Sequence, residues 1–300
     1  MKRSSHLPPA GAPRGRGDPA PAADDTVEPA PSAPPAGPRS SAPIARQRRQ
    51  LAERAAASAR ASRAMVTERY AAAAMARANA GARLQTLYLA AEGPRRPGEP
   101  LNVLLIELAP SGVLEVDPPA AGVLREWLLV RGGVTLADPG QWPVALAPLD
   151  FHVVPASLAP PNTAPAPTRL DAGASGALLF LREAHDLPDP AEPSRTVRDA
   201  DTAWKPFAPK VERRVLWRRG PLAAMLYRAA PGAAVPHHGH GHDEECLVLR
   251  GETFQDDTLL REGDYQLAPA GSAHLSGSTD SGAIFYIHGD LNLELRGPAA

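Results

Sequence analysis

Residues 231–251 read PGAAVPHHGHGHDEECLVLRG, and residues 263–274 read GDYQLAPAGSAH. His238 and His240 are two apart, so on an extended strand both imidazoles leave the same face. Glu244 follows a turn allowed by Gly241 and opens the next apolar run, in which Glu244, Cys246 and Val248 share a face. Gly263 and Gly271 permit turns that return His274 toward that face. Three imidazoles and a carboxylate form a ligand set for zinc, iron, manganese, nickel or copper. Cys246 is the only cysteine, which excludes an internal disulfide and every multi-cysteine zinc motif. A redox-active thiol beside the metal and a small buried hydrophobe are both open readings of it.

The spacing runs Gly232, His238, His240, Glu244, Gly251, then Gly263, Pro269, Gly271, His274. It resembles the two signature motifs of the cupin superfamily. That resemblance implies a β-barrel of about residues 204–296 holding one divalent transition metal on His238, His240, Glu244 and His274. Ser278 stands where the family often has Asn. Val235-Pro236-His237-His238, Leu247 to Gly251, Asp256 and Gly263-Asp264-Tyr265 narrow the likeness to the ChrR-type cupin, the sensor half of zinc-dependent anti-sigma factors. Zinc is the metal this likeness implies, with iron, manganese or nickel as alternatives. The cysteine-bearing N-terminal zinc signature of those factors has no counterpart here. His237 and His242 are assigned no role.

Working toward the N-terminus, a second set of short apolar runs can be laid on the first. LNVLLIELAPSG matches LAAMLYRAAPG, REWLLVRGGV matches EECLVLRGET, and LDFHVVPAS matches GDYQLAPAG. The repeat predicts an all-β chain of two tandem jelly-roll barrels. In the first copy, residues 82–184, Arg125 replaces the glutamate, Pro119 and Ala121 fall near the two histidines, and Pro160 falls near the last. His152 takes the position of Gln266, so this copy is expected to hold no metal. Residues 185–203 read as a polar linker.

Residues 1–43 carry 11 of the 35 prolines and almost no large apolar side chains, which predicts a disordered tail. Residues 44–80 are rich in Ala and Arg without Pro or Gly, which predicts a helix with a thin stripe of Leu51, Ala55, Ala59, Ser62, Val66 and Tyr70. Its eight arginines face only Glu53 and Glu68, so it is either a solvated helix shaped by composition or a basic surface for an acidic protein, nucleic acid or an anionic membrane, with a protein partner through residues 44–80 as the candidate carried forward. Arginine makes up 29 of the 32 basic residues, a bias of composition that weakens any nucleic-acid reading, and no nucleic-acid module is legible. Without a long apolar run, a membrane span is not expected and a cytoplasmic protein is.

Two functions remain open on the sequence. One is a sensor or regulatory module whose metal pocket, occupied by a small molecule or oxidised, alters a partner contact. The other is a metal-dependent enzyme, a dioxygenase or an isomerase or hydrolase, with catalytic residues unknown. Tyr227, Tyr265, Tyr286, His288 and Trp217 are the polar and aromatic groups available to its pocket.

Overall fold

The computed structural model describes residues 46–50, 52, 65–90, 96–155, 166–185 and 192–293. The whole of the expected tail, residues 1–43, lies outside them, as does Pro160. Arg48–Ala300 forms one compact unit containing both barrels.

Among the described residues the strands begin with β1 (Val66–Glu68) and β2 (Ala76–Asn79). The first barrel continues through β3 (Ala82–Leu89), β4 (Pro100–Leu108), β5 (Val113–Val116), β6 (Val123–Ala137), β7 (Val144–Leu146), β8 (Phe151–Val154) and β9 (Thr168–His185). After β10 (Arg195–Val197), the second comprises β11 (Lys205–Ala208), β12 (Val211–Arg219), β13 (Leu222–Ala229), β14 (Ala233–Val235), β15 (His238–Gly239), β16 (Glu244–Gln255), β17 (Thr258–Arg261), β18 (Tyr265–Ala268), β19 (Ala273–His274), β20 (Gly277–Thr279) and β21 (Ala283–Asp290).

The two main sheets run β10-β8-β6-β9-β4-β3-β2 and β1-β18-β16-β21-β13-β12-β11, the same order element for element. The register agrees with the repeat: Arg125 pairs with Val154 as Glu244 pairs with Ala268, and Trp127 pairs with His152 as Cys246 pairs with Gln266. Both copies also bulge at one place. The pairing slips between Leu129 and Arg131 in β6, and between Val248 and Arg250 in β16. An inserted residue reverses side-chain parity, so Glu244, Cys246 and Val248 before the bulge share the interior with Thr253 and Gln255 after it. Gly251 follows the bulge with φ near 75°, and a Cβ there would stand 2.2 Å from the Gly282 carbonyl, so only glycine fits.

Two expectations are corrected by the edge strands. Among the described residues of the predicted 44–80 helix, 46–50 and 52 are helical, but 66–68 and 76–79 are strands. Val66 and Thr67 are β-branched, and the alanine stripe offered a helix little area to bury, so sheet pairing wins. The polar 185–203 stretch likewise contains β10. Both strands cross over: β1 precedes the first barrel yet pairs with β18 of the second, while β10 precedes the second barrel yet pairs with β8 of the first. Each brings a threonine to the equivalent position. Gln266 donates to Thr67 Oγ1 at 3.1 Å, and His152 Nδ1 lies 2.9 Å from Thr196 Oγ1. Asp264 fastens β1 further, accepting from Arg69 at 2.7 Å and from the Tyr70 amide at 2.9 Å.

Strand alternation gives three cores. Trp127, Leu129, Leu179 and Leu181 fill the first barrel, and Met225, Cys246, Val248 and Phe285 fill the second. Alternate residues on the outer faces, among them Leu128, Phe151, Phe180, Leu247, Tyr265 and Tyr286, merge into a shared core where the sheets stack. At its centre Arg182, Glu126 and Glu245 are fully buried. Arg182 donates to Glu245 at 2.8 Å, to Glu126 at 3.2 Å and to the Gly98 carbonyl at 2.6 Å. Tyr265 donates to Glu245 at 2.9 Å, and Tyr286 reaches across to Glu126 at 3.1 Å. Burial raises the Glu126 carboxyl, with Arg182 working against it.

Candidate metal centre

The expected ligands arrive from three places in the second barrel. His238 on β15 pairs directly with His274 on β19, His240 follows β15, and Glu244 opens β16. All four are buried. The ligating atoms of His238, His240 and Glu244 lie within 4.8 Å of one another. The His274 ring stands beside that trio, its centroid 5.0 Å from that of His240 and 5.5 Å from that of His238. The nearer Glu244 oxygen is 3.4 Å from His240 Nε2 and 4.0 Å from His238 Nε2.

Each imidazole is held through its outer nitrogen. His238 Nδ1 lies 3.0 Å from the Pro236 carbonyl, His240 Nδ1 2.9 Å from Ser272 Oγ, and His274 Nδ1 3.1 Å from Asp256 Oδ2. A carbonyl can only accept, so His238 carries its proton on Nδ1 and keeps the Nε2 lone pair for the interior. His274 is fixed the same way if Asp256 is ionised. Burial raises the Asp256 carboxyl, but His274 and the amides of Ser276 and Leu275 outweigh burial and lower it. His240 Nε2 is buried without a hydrogen-bond partner, the state of a nitrogen that awaits a metal. The donor set and its outer partners therefore fit a divalent transition metal.

The electrostatics agree. Burial would raise Glu244, yet His240, His238 and His274 bring its carboxyl down to about 2. Burial lowers His238, whereas in His240 the neighbouring Glu244 overcomes burial and raises the imidazole.

His238 and Glu244 also face a small pocket, otherwise lined mostly by apolar side chains such as Phe207, Val235, Phe285 and Ile287. Of the aromatic and polar groups expected at the pocket, only Tyr227 lines it. Tyr265 and Tyr286 turn outward into the contact between barrels, as does His288, which lies 3.8 Å from Glu245, and Trp217 packs in the shared core. Cys246 is buried beside Gln255, and burial pushes its thiol up, which disfavours the thiolate an oxidation sensor requires. His242 is nearly half exposed and bonds Asp290 at 2.5 Å, away from the ligands. Sequence reasoning missed Ser272 as the support of His240 and quoted Asp256 only as part of a motif; a polar residue two before the last His was the available signal.

Residues 192–292 match the family of the ChrR cupin-like domain. The match covers the second barrel and about a third of the chain. No curated protein sequence matches the chain. Solved structures resemble both barrels together. A Geobacillus kaustophilus protein, GK1651, superposes with a TM-score of 0.54 at 13% identity over 78% of this chain and 96% of its own. A putative glyoxylate-induced protein from Pseudomonas aeruginosa gives 0.54 at 14% identity over 73% and 84%. A variant of the Bacillus subtilis oxalate decarboxylase gives 0.53 at 14% identity over 75% and 77%. At such identities the likeness is one of fold: a double cupin whose second half is ChrR-like. Among the described residues, no helix is long and apolar enough to cross a membrane.

In the first barrel the ligand place is closed. Arg125 stands at the position of Glu244 and pairs with Glu183 at 2.6 Å. The Asp117 backbone carbonyl and Thr168 Oγ1 accept from the same guanidinium at 2.5 and 3.4 Å.

Proposed function

We propose that this protein is a metal-dependent sensor or regulatory module whose ChrR-like barrel holds one divalent transition metal, zinc foremost, on His238, His240, Glu244 and His274. The observation that carries this reading is the pinning of three Nδ1 atoms from outside, with the ligating atoms of His238, His240 and Glu244 gathered beside the His274 ring and His238 and Glu244 facing an apolar pocket. A bound divalent ion supplies Lewis acidity toward an oxygen of a small molecule entering that cavity. Around it, His238 and Glu244 form the polar end of the cavity, and the apolar walls exclude water from the bound molecule.

The regulatory reading is supported by the ChrR-like family match and by a basic N-terminal segment. Since β1 and β2 are built into the sheets, a protein partner is assigned to the part of 44–80 that precedes β1. The test compares metal content, partner capture and turnover on the full chain. One metal per chain, lost in Glu244→Ala and His274→Ala, together with a captured protein that is released when metal is stripped, supports the reading. Metal-dependent consumption of a small molecule at about 1 per second or faster, with no captured partner, overturns it in favour of an enzyme.

A further inference from the structure

Gln255 ends β16, well beyond the bulge that returns its side chain to the interior, and lines the same cavity as His238 and Glu244. It is only 7% exposed, yet its Oε1 has no hydrogen-bond partner. Three hydroxyls nearby are already committed: Thr253 donates to the Ser278 carbonyl at 3.1 Å, Thr279 to the Glu252 carbonyl at 2.6 Å and Tyr227 to Met225 Sδ at 3.7 Å. Among the described residues lining the cavity, Gln255 Oε1 is thus the buried polar atom left without a partner. Space adjoins it, because Gly277 carries no side chain where a Cβ would stand 3.6 Å from that oxygen. A buried acceptor left unpaired is costly, and a ligand that supplies the missing donor recovers that cost.

We propose that Gln255 is the specificity residue of this cavity, which takes a small molecule with an apolar body, an oxygen group at the His238–Glu244 end and an O–H or N–H donor directed at Gln255 Oε1. The inference rests on the reading of this barrel as a metal-dependent binding site. Phe207, Val235, Phe285 and Ile287 contact the apolar body, and the donor separates true ligands from plain hydrocarbon acids. Gln255 touches neither the metal ligands' outer nitrogens nor the contact between barrels, so its loss changes selection without dismantling the site.

Straight-chain acids of four to eight carbons, each with and without a terminal hydroxyl, are titrated calorimetrically into the zinc-loaded full chain. At one length the hydroxy acid is expected to bind about tenfold more tightly than its parent, the factor of a single hydrogen bond to a buried acceptor. Gln255→Met should erase that preference, while metal content and melting temperature stay near wild type. Gln255→Asn, which draws the amide back by one methylene, should move the preference to the acid one carbon longer. A parent acid that binds at least as well at every length, an intact preference in Gln255→Met, or no binding by any of the acids overturns the proposal. Preference that survives removal of zinc keeps Gln255 and sinks the metal reading. Zinc-dependent binding without any hydroxyl preference sinks Gln255 alone.

Discussion

The two barrels share strand order, register and bulge, yet at matching places they carry opposite chemistry. Where the second has Glu244 beside Gly289, the first has Arg125 beside Glu183. A Cβ on Gly289 would lie 3.3 Å from Glu244, so the bare backbone leaves that carboxylate its room. In the first barrel the same space is filled by an ion pair that satisfies itself. The jelly roll therefore needs no metal to close, and the ligand set is an addition to a fold that stands on strand pairing and apolar burial. The stacked faces differ in the same way. Glu126 pairs across the sheet with Arg182, and Glu245 with His288. One arginine serves both glutamates, and a second at position 288 would bring two like charges together at the centre of the contact.

The strongest way to break this asymmetry is Arg182→Met, which strands two fully buried carboxylates. It should cost about 3–5 kcal/mol in urea unfolding, and a loss below about 1 kcal/mol would show that apolar packing alone joins the barrels. The next is at the metal centre. Asp256→Asn should weaken zinc binding on the order of 10- to 100-fold through loss of the His274 support, with His274→Ala costing at least as much, as read by chelator competition. Arg125→Glu in the first barrel should leave the count at one metal per chain, because Pro119 and Ala121 offer no imidazoles; a second bound metal would mean the copies differ by less than the sequence indicates.

The smallest effect is in the pH dependence of the metal-free protein. Burial lowers His238 and holds His288 well below its ordinary value, so the unfolded chain gains protons below about pH 6.5 that these two refuse in the fold. Each favours unfolding as pH falls. His240, raised by Glu244, works the other way, adding stability below 6.5 that disappears as pH rises. Below pH 6.5 His240 is protonated in both states, so His238 and His288 set the slope there. Glu244 adds a later loss, since its stabilising charge is present above pH 4.5 and fades toward about 2. Melting curves of His288→Gln should be flatter between pH 6.5 and 5; an unchanged slope would place the titration elsewhere.

The ligand spacing was legible because turns and strand parity leave few ways to converge three imidazoles and a carboxylate. Gly263 illustrates how much a motif glycine says. Its φ is near 87°, and a Cβ there would run into the Tyr70 ring at 2.5 Å. The sequence could mark that glycine but not its neighbour. Three-residue strands such as Val66–Glu68 and Arg195–Val197 are too short to show alternation, and each lies in a stretch whose composition argues for something else. The central ion cluster was hidden for a related reason. A charged residue alternating with apolar ones along a strand reads as a solvent-facing side, and only the stacking of the second sheet turns Arg182 and Glu126 inward. Gln255 was obscured by the bulge, which shifts it to the interior face against simple counting from Glu244.

The crossed edge strands set an order of events during synthesis. The ribosome releases β8 before β10 exists, so the first barrel waits with an open edge until residues 195–197 emerge. The matching edge strand of the second barrel, β1, is made first and stays unpaired until β18 emerges almost two hundred residues later. Neither barrel can finish alone, and a chain that stalls between them presents two unsatisfied sheet edges, the surfaces through which nascent β proteins most readily aggregate.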